Sequence, residues 1–174
     1  AAEWKADLVA LGSHGRSVLE RFFLGSVSQK VAAEAPCSVR ISRPRKQPHH
    51  PRTRVVVAVD GSADSMAAVR AVASRVWPEF GEFRMVAVLD ARLETAIAWP
   101  ESVAGQWVRE QDTATREALL RMLEHSAKVL SDAGLSVETQ LLNGDPKHEL
   151  LAHAGAWEAD VIFLGARGLH HGGR

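Results

Sequence analysis

Gly12, Gly15 and Gly25, with Ser26 directly behind the last, form the pattern G-x2-G-x9-G-S within LGSHGRSVLERFFLGSVSQKV. A glycine inside regular structure costs about 0.5–1 kcal/mol against alanine, so three at fixed places in a helix-friendly stretch mark backbone that must come close to something. The segment after Gly25, SVSQKVAAEA, is helical in character and is stopped by Pro36. A helix start offers free N–H groups and the positive end of a dipole, which suits a phosphate. On this reading Gly25 removes a Cβ that would hold a phosphate away. The backbone of Ser26, Val27 and Ser28 then faces the anion, and the hydroxyls of Ser26 and Ser28 add donors. The competing reading is a glycine-rich turn followed by an ordinary serine cap.

A carboxylate supplies the second candidate. Asp60 closes the apolar run RVVVAVD, where it can accept hydrogen bonds from a ribose or a base. It can equally support the turn at Gly61 and the helix that follows, and the two roles are compatible. Other features carry less chemistry. The pairs His49-His50 and His170-His171 lack the further ligands a metal site needs, so no metal is expected. Arg16 suits either a phosphate or a solvated loop, and Arg43, Arg45 and Lys46 suit a soluble linker. Trp99 and Trp107 fit a lid, a dimer contact or core packing equally well.

The elements that must position these residues alternate between strand and helix. β-rich runs occur at 7–11, 37–41, 54–60, 83–90, 136–142 and 160–164, several of them nearly continuously apolar, as strands covered on both faces are. Ser62 is placed to cap a helix through Met66, Val69, Val72 and Val76 that Pro78 closes. A longer helix is expected over 108–133, with Leu119, Leu120, Leu123, Ala127 and Leu130 inward and Gly134 as its stop. A shorter one over 146–157 carries Pro146 in its first turn. The pattern predicts an α/β fold with an open, doubly wound parallel sheet, whose ligands bind at the carboxyl ends of the strands.

The balanced charge, 21 basic against 21 acidic residues, gives no net positive field for nucleic acid. No apolar run is long enough to span a bilayer, and no basic leader opens the chain. The single cysteine, Cys37, excludes an internal disulfide, and a cytoplasmic location is expected.

An internal repeat organises the chain. AAEWKADLVALGSHG (1–15) aligns without gaps to AGAWEADVIFLGARG (154–168), with seven of fifteen positions identical at an offset of 153 residues. The identities are Ala1, Trp4, Ala6, Asp7, Leu11, Gly12 and Gly15, so Leu164, Gly165 and Gly168 repeat the strand end and glycine pair. The expectation is a piece of a tandem two-domain protein: 1–43 the end of a first domain, 44–52 a linker, and 53–174 a second domain without its last helix and strand.

These residues resemble the universal stress protein family. Its nucleotide-binding members carry G-x2-G-x9-G-[S/T], which residues 12–26 match in full, and residues 53–174, with VAVDGS and LLNGDPKHELLAHA, resemble one of its domains from first strand to fourth. The second copy departs from the pattern, with only Gly165 and Gly168 present. The resemblance implies ATP as ligand, with or without Mg²⁺, and a nucleotide contact at Asp60. It also implies an adenine pocket lined by Ala58, Val59 and Val88 and bordered by Leu11 and Leu164. The function implied is a non-catalytic or weakly hydrolytic ATP-binding module in stress response. No Walker lysine follows the loop and no second acid stands beside Asp60, so hydrolysis should be slow. The alternatives are a slow ATPase and a ligand-free dimerisation module. A homodimer or a strand-exchanged dimer is expected, with no nucleic-acid or membrane partner.

Overall fold

Four consecutive buried residues, Val55, Val56, Val57 and Ala58, make the strand on which the larger part of the molecule is built. In the computed structural model, residues 4–13, 25–43, 52–78, 81–90 and 103–166 are described, with side chains in the long helix described from 113 onward. The chain divides into two compact units, Ala1–His49 and His50–Arg174.

In the second unit, strands β3 (Arg54–Ala58), β4 (Glu82–Asp90), β5 (Val137–Gly144) and β6 (Val161–Phe163) form a parallel sheet in the order β5-β4-β3-β6. Parallel neighbours need crossover connections, and helices α2 (Ala63–Ala73), α3 (Val103–Asp132) and α4 (Pro146–Ala156) occupy them. One face of the sheet packs Val55, Val57, Val59, Phe83, Met85 and Ala87 against α2 and α3, with Val69, Val72, Leu123, Ala127 and Leu130 opposite. The other face packs Val56 and Val86 against Ala154 of α4. A strand in the middle of such a sandwich has no solvent face, which is why β3 reads as an unbroken apolar run.

Local signals set the boundaries. Ser62 caps α2, its Oγ accepting from the Ser65 N–H at 3.1 Å. Asp145 caps α4, its carboxylate accepting from the N–H groups of Lys147 and His148. Gly134 adopts φ +81° just past α3, a conformation costly for any residue with a Cβ. Two expectations need correction. The α2 helix ends at Ala73 rather than running through Val76, which is fully exposed. There the Trp77 indole N–H donates to the Val72 carbonyl at 2.9 Å, and its ring meets Phe83 and Phe163 edge-on. Leu120 of α3 is exposed, whereas Ser126, not foreseen as inward, is wholly buried.

The first unit contains β1 (Leu8–Gly12), α1 (Ser26–Glu34) and β2 (Ser38–Ser42), with β1 and β2 paired in parallel from Leu8↔Ser38 to Gly12↔Ser42. Of the two repeated strands, it is β6 that pairs with β3, from Val55↔Val161 to Val57↔Phe163.

The repeat extends to backbone geometry. The two non-glycine residues with positive φ among those described are Lys5 (50°) and Glu158 (53°), at equivalent repeat positions. In the second copy Glu158 ends α4 in a left-handed turn, with the Ala159 N–H bonded to the Ala154 carbonyl. Asp160 then ties the amino end of β6 to β3. Its carboxylate accepts from the Arg54 N–H at 2.9 Å, and its own N–H donates to the Arg54 carbonyl. The Trp157 ring lies beneath the Arg84 guanidinium at 4.3 Å, and its carbonyl accepts from Arg54. The Trp-x2-Asp half of the repeat therefore holds a strand in place at the amino edge, away from the edge that binds ligands in such sheets.

Candidate functional site

In the first unit, the end of β1 and the start of α1 are joined by two hydrogen bonds. The Gly25 N–H donates to the Ser13 carbonyl at 2.9 Å, and the Ser28 hydroxyl donates to the Gly12 carbonyl at 2.9 Å. A further bond, from the Ser13 N–H to the Ser42 carbonyl, extends the β1–β2 ladder. The first turn of α1 is thereby fixed to the carboxyl end of β1, and Ser13 and Ser28 are buried in the junction. Gly15 lies outside the described residues.

Gly25 is the N-cap of α1 and has no side chain with which to cap it. Helix starts normally have a side-chain oxygen to satisfy one of their spare amides, at about 1 kcal/mol. Here Ser26 and Val27, the first two helical residues, stand exposed, Val27 at 69%. Gly25 has φ −58°, open to any residue, and a Cβ there would come no nearer than 3.6 Å to the Ser13 carbonyl among the described atoms. Neither strain nor packing within the described residues calls for glycine at this position. The Ser28 hydroxyl is in a different situation. Its proton is directed to Gly12, so its part is to hold the junction, and Ser26 retains the exposed hydroxyl. Leu11 is half-buried in β1.

In the second unit, the predicted residues gather at the carboxyl edge of the sheet. Ala58 ends β3, and Val59 continues its course by donating from its N–H to the Val86 carbonyl. Asp60 follows, with its Oδ1 accepting from the Ser62 N–H at 2.9 Å. Gly61 between them has φ +83°, a value that favours glycine. The turn role of Asp60 is therefore visible in the geometry. Val59 faces the core beside Val57, and Val88 packs toward the α4 side of the sheet. Leu164 is exposed just past β6.

Gly165 has a packing reason of its own. A Cβ there would lie 2.6 Å from the Ser65 nitrogen and 2.8 Å from the Asp64 carbonyl carbon. The chain leaving β6 thus presses against the first turn of α2, and only glycine permits it. Gly168 lies outside the described residues, as do Arg16, both histidine pairs and the side chains of Trp99 and Trp107.

Sequence reasoning missed Met122, whose Sδ sits 3.2 Å from where a Cβ of Gly61 would stand. It is not among the residues expected to face inward from α3, and nothing in the sequence pairs it with the turn at Gly61.

The universal stress protein family model matches residues 1–43 and 51–174, and the chain belongs to that family. It is similar to the universal stress protein YxiE of Bacillus subtilis, at 27% identity over 121 residues, covering 67% of this chain and 80% of that one. Among solved structures, hypothetical protein MJ0577, the subject of a structure-based assignment of biochemical function, aligns with a TM-score of 0.57 at 20% identity. That alignment covers 68% of this chain and 78% of the other. A universal stress protein family member from Burkholderia pseudomallei aligns at 0.52 and 22% identity, over 68% and 84%. These likenesses establish the α/β fold with a parallel sheet flanked by helices. No helix among the described residues is long and apolar enough to cross a membrane.

Proposed function

We propose that this chain is an adenine-nucleotide-binding module of the universal stress protein family that acts in stress response, with ATP as its ligand and little or no hydrolysis. The observation that carries the reading is the start of α1 at Gly25, a cap residue without a side chain, fixed to the end of β1 by the Gly25–Ser13 and Ser28–Gly12 hydrogen bonds. Helix-start amides, a helix dipole and a glycine that nothing among the described residues requires suit a phosphate group. In the first unit the start of α1 suits a phosphate. In the second unit, taken by itself, the Asp60 carboxylate and the apolar strand ends suit a ribose and a base. The repeated Trp-x2-Asp and glycine segments, together with a family match in two stretches, support origin in a tandem protein. Association into a homodimer, with or without strand exchange, belongs to the same reading.

Calorimetric titration with ATP tests the proposal. Binding on the order of micromolar is expected for the natural chain, about −8 kcal/mol. Gly25→Val should abolish the heat while leaving the helical circular dichroism in place, because φ −58° and the 3.6 Å clearance tolerate a side chain. Absence of heat with the natural chain would leave the interaction-module reading in its place.

A further inference from the structure

The second unit carries three methionines in two environments. Met85 is wholly buried between sheet and helices, whereas Met66 of α2 and Met122 of α3 are only partly buried and pack at the rim of the same core. The two rim thioethers also contact polar structure. Ser126, with no solvent exposure, donates its hydroxyl to Met66 Sδ at 3.4 Å. Met122 Sδ lies against Gly61, so close that a Cβ at that glycine would be 3.2 Å from the sulfur. Gly61 is the positive-φ hinge of the turn in which the Asp60 carboxylate holds the Ser62 N–H and Ser62 in turn caps α2.

We infer that Met122 is an oxidation site whose modification loosens the Asp60–Ser62 turn. Methionine sulfur reacts with a hydroperoxide through its lone pair. The S–O bond forms as the O–O bond breaks, the sulfide is oxidised to sulfoxide, and the peroxide is reduced to water or an alcohol. The product replaces a flexible apolar contact with a larger, strongly polar one. At Met122 the new oxygen must find room beside Gly61, and the turn has to give way. At Met66 the Ser126 hydroxyl, already aimed at the sulfur, becomes the hydrogen-bond donor the sulfoxide needs. The two rim methionines therefore differ in consequence: oxidation at Met66 is accommodated, and oxidation at Met122 is transmitted to the edge that carries Asp60.

The test treats the whole chain with hydrogen peroxide, locates sulfoxides by peptide mass spectrometry, and follows amide hydrogen exchange over residues 60–66 without nucleotide. The expected result is modification of Met66 and Met122 before Met85, with several-fold faster exchange at Ser62 and Ser65. Methionine sulfoxide reductase should reverse the change, and Met122→Leu, a volume-conserving swap, should prevent it while Met66 still oxidises. Equal oxidation of Met85, or loosening that persists in Met122→Leu, would overturn the inference. The exchange readout needs no nucleotide, so a failure to bind ATP would count against the proposed function alone.

Discussion

Two glycines that look alike in the sequence differ in what holds them. Gly165 is demanded by packing, since a side chain would strike the backbone of Asp64 and Ser65, whereas Gly25 meets no such obstacle among the described residues. Gly165→Ala should therefore cost about 1–3 kcal/mol in urea unfolding, as overpacking does, with no nucleotide present. Gly134→Ala should cost about 1 kcal/mol, because alanine resists the left-handed conformation that ends α3. His153 supplies a pH dependence. Burial, and then the nearby Arg84 charge, hold its imidazole below the ordinary value of 6.5. The unfolded chain thus takes up this proton first as pH falls through 6.5. Stability associated with the neutral ring is fully present above that value, declines below it, and stops declining once the folded form also protonates. Unfolding free energy measured against pH should fall less steeply over that window in His153→Gln than in the natural chain.

At the scale of elements, caps and apolar spacing were legible because they are local. Ser62, Pro146 and Gly134 stand where their chemistry requires, and every expected strand occurs within about two residues of its place. The misses have tertiary causes. The β3 strand stops at Ala58 because Asp60 folds back onto Ser62, and α2 stops at Ala73, where the Trp77 indole takes up the Val72 carbonyl. The bond from the Ser28 hydroxyl to Gly12, a partner sixteen residues away, is likewise tertiary, and no periodicity reveals it. Asp145→Ala removes an oxygen that serves two amides of α4. A loss of about 1 kcal/mol in stability is expected, measured by thermal or urea unfolding.

Across the whole molecule, the repeat was legible as sequence, but not which copy joins β3. Both copies carry Trp, Asp, Leu and glycine at the same places, and the bonds that tie β6 to Arg54, through Asp160 and the Trp157 carbonyl, use groups that the first copy has too. A pair of parallel strands is too little sheet for independent stability, and the first unit contains one such pair among its described residues. Concentration-dependent association in sedimentation is the expected consequence, and a strictly monomeric species would count against it. An amide NMR titration with ATP reports on the start of α1 residue by residue. The N–H resonances of Ser26 and Val27 should move most and saturate together. Shifts confined to other parts of the chain, with those two amides unmoved at saturating nucleotide, would contradict phosphate binding there.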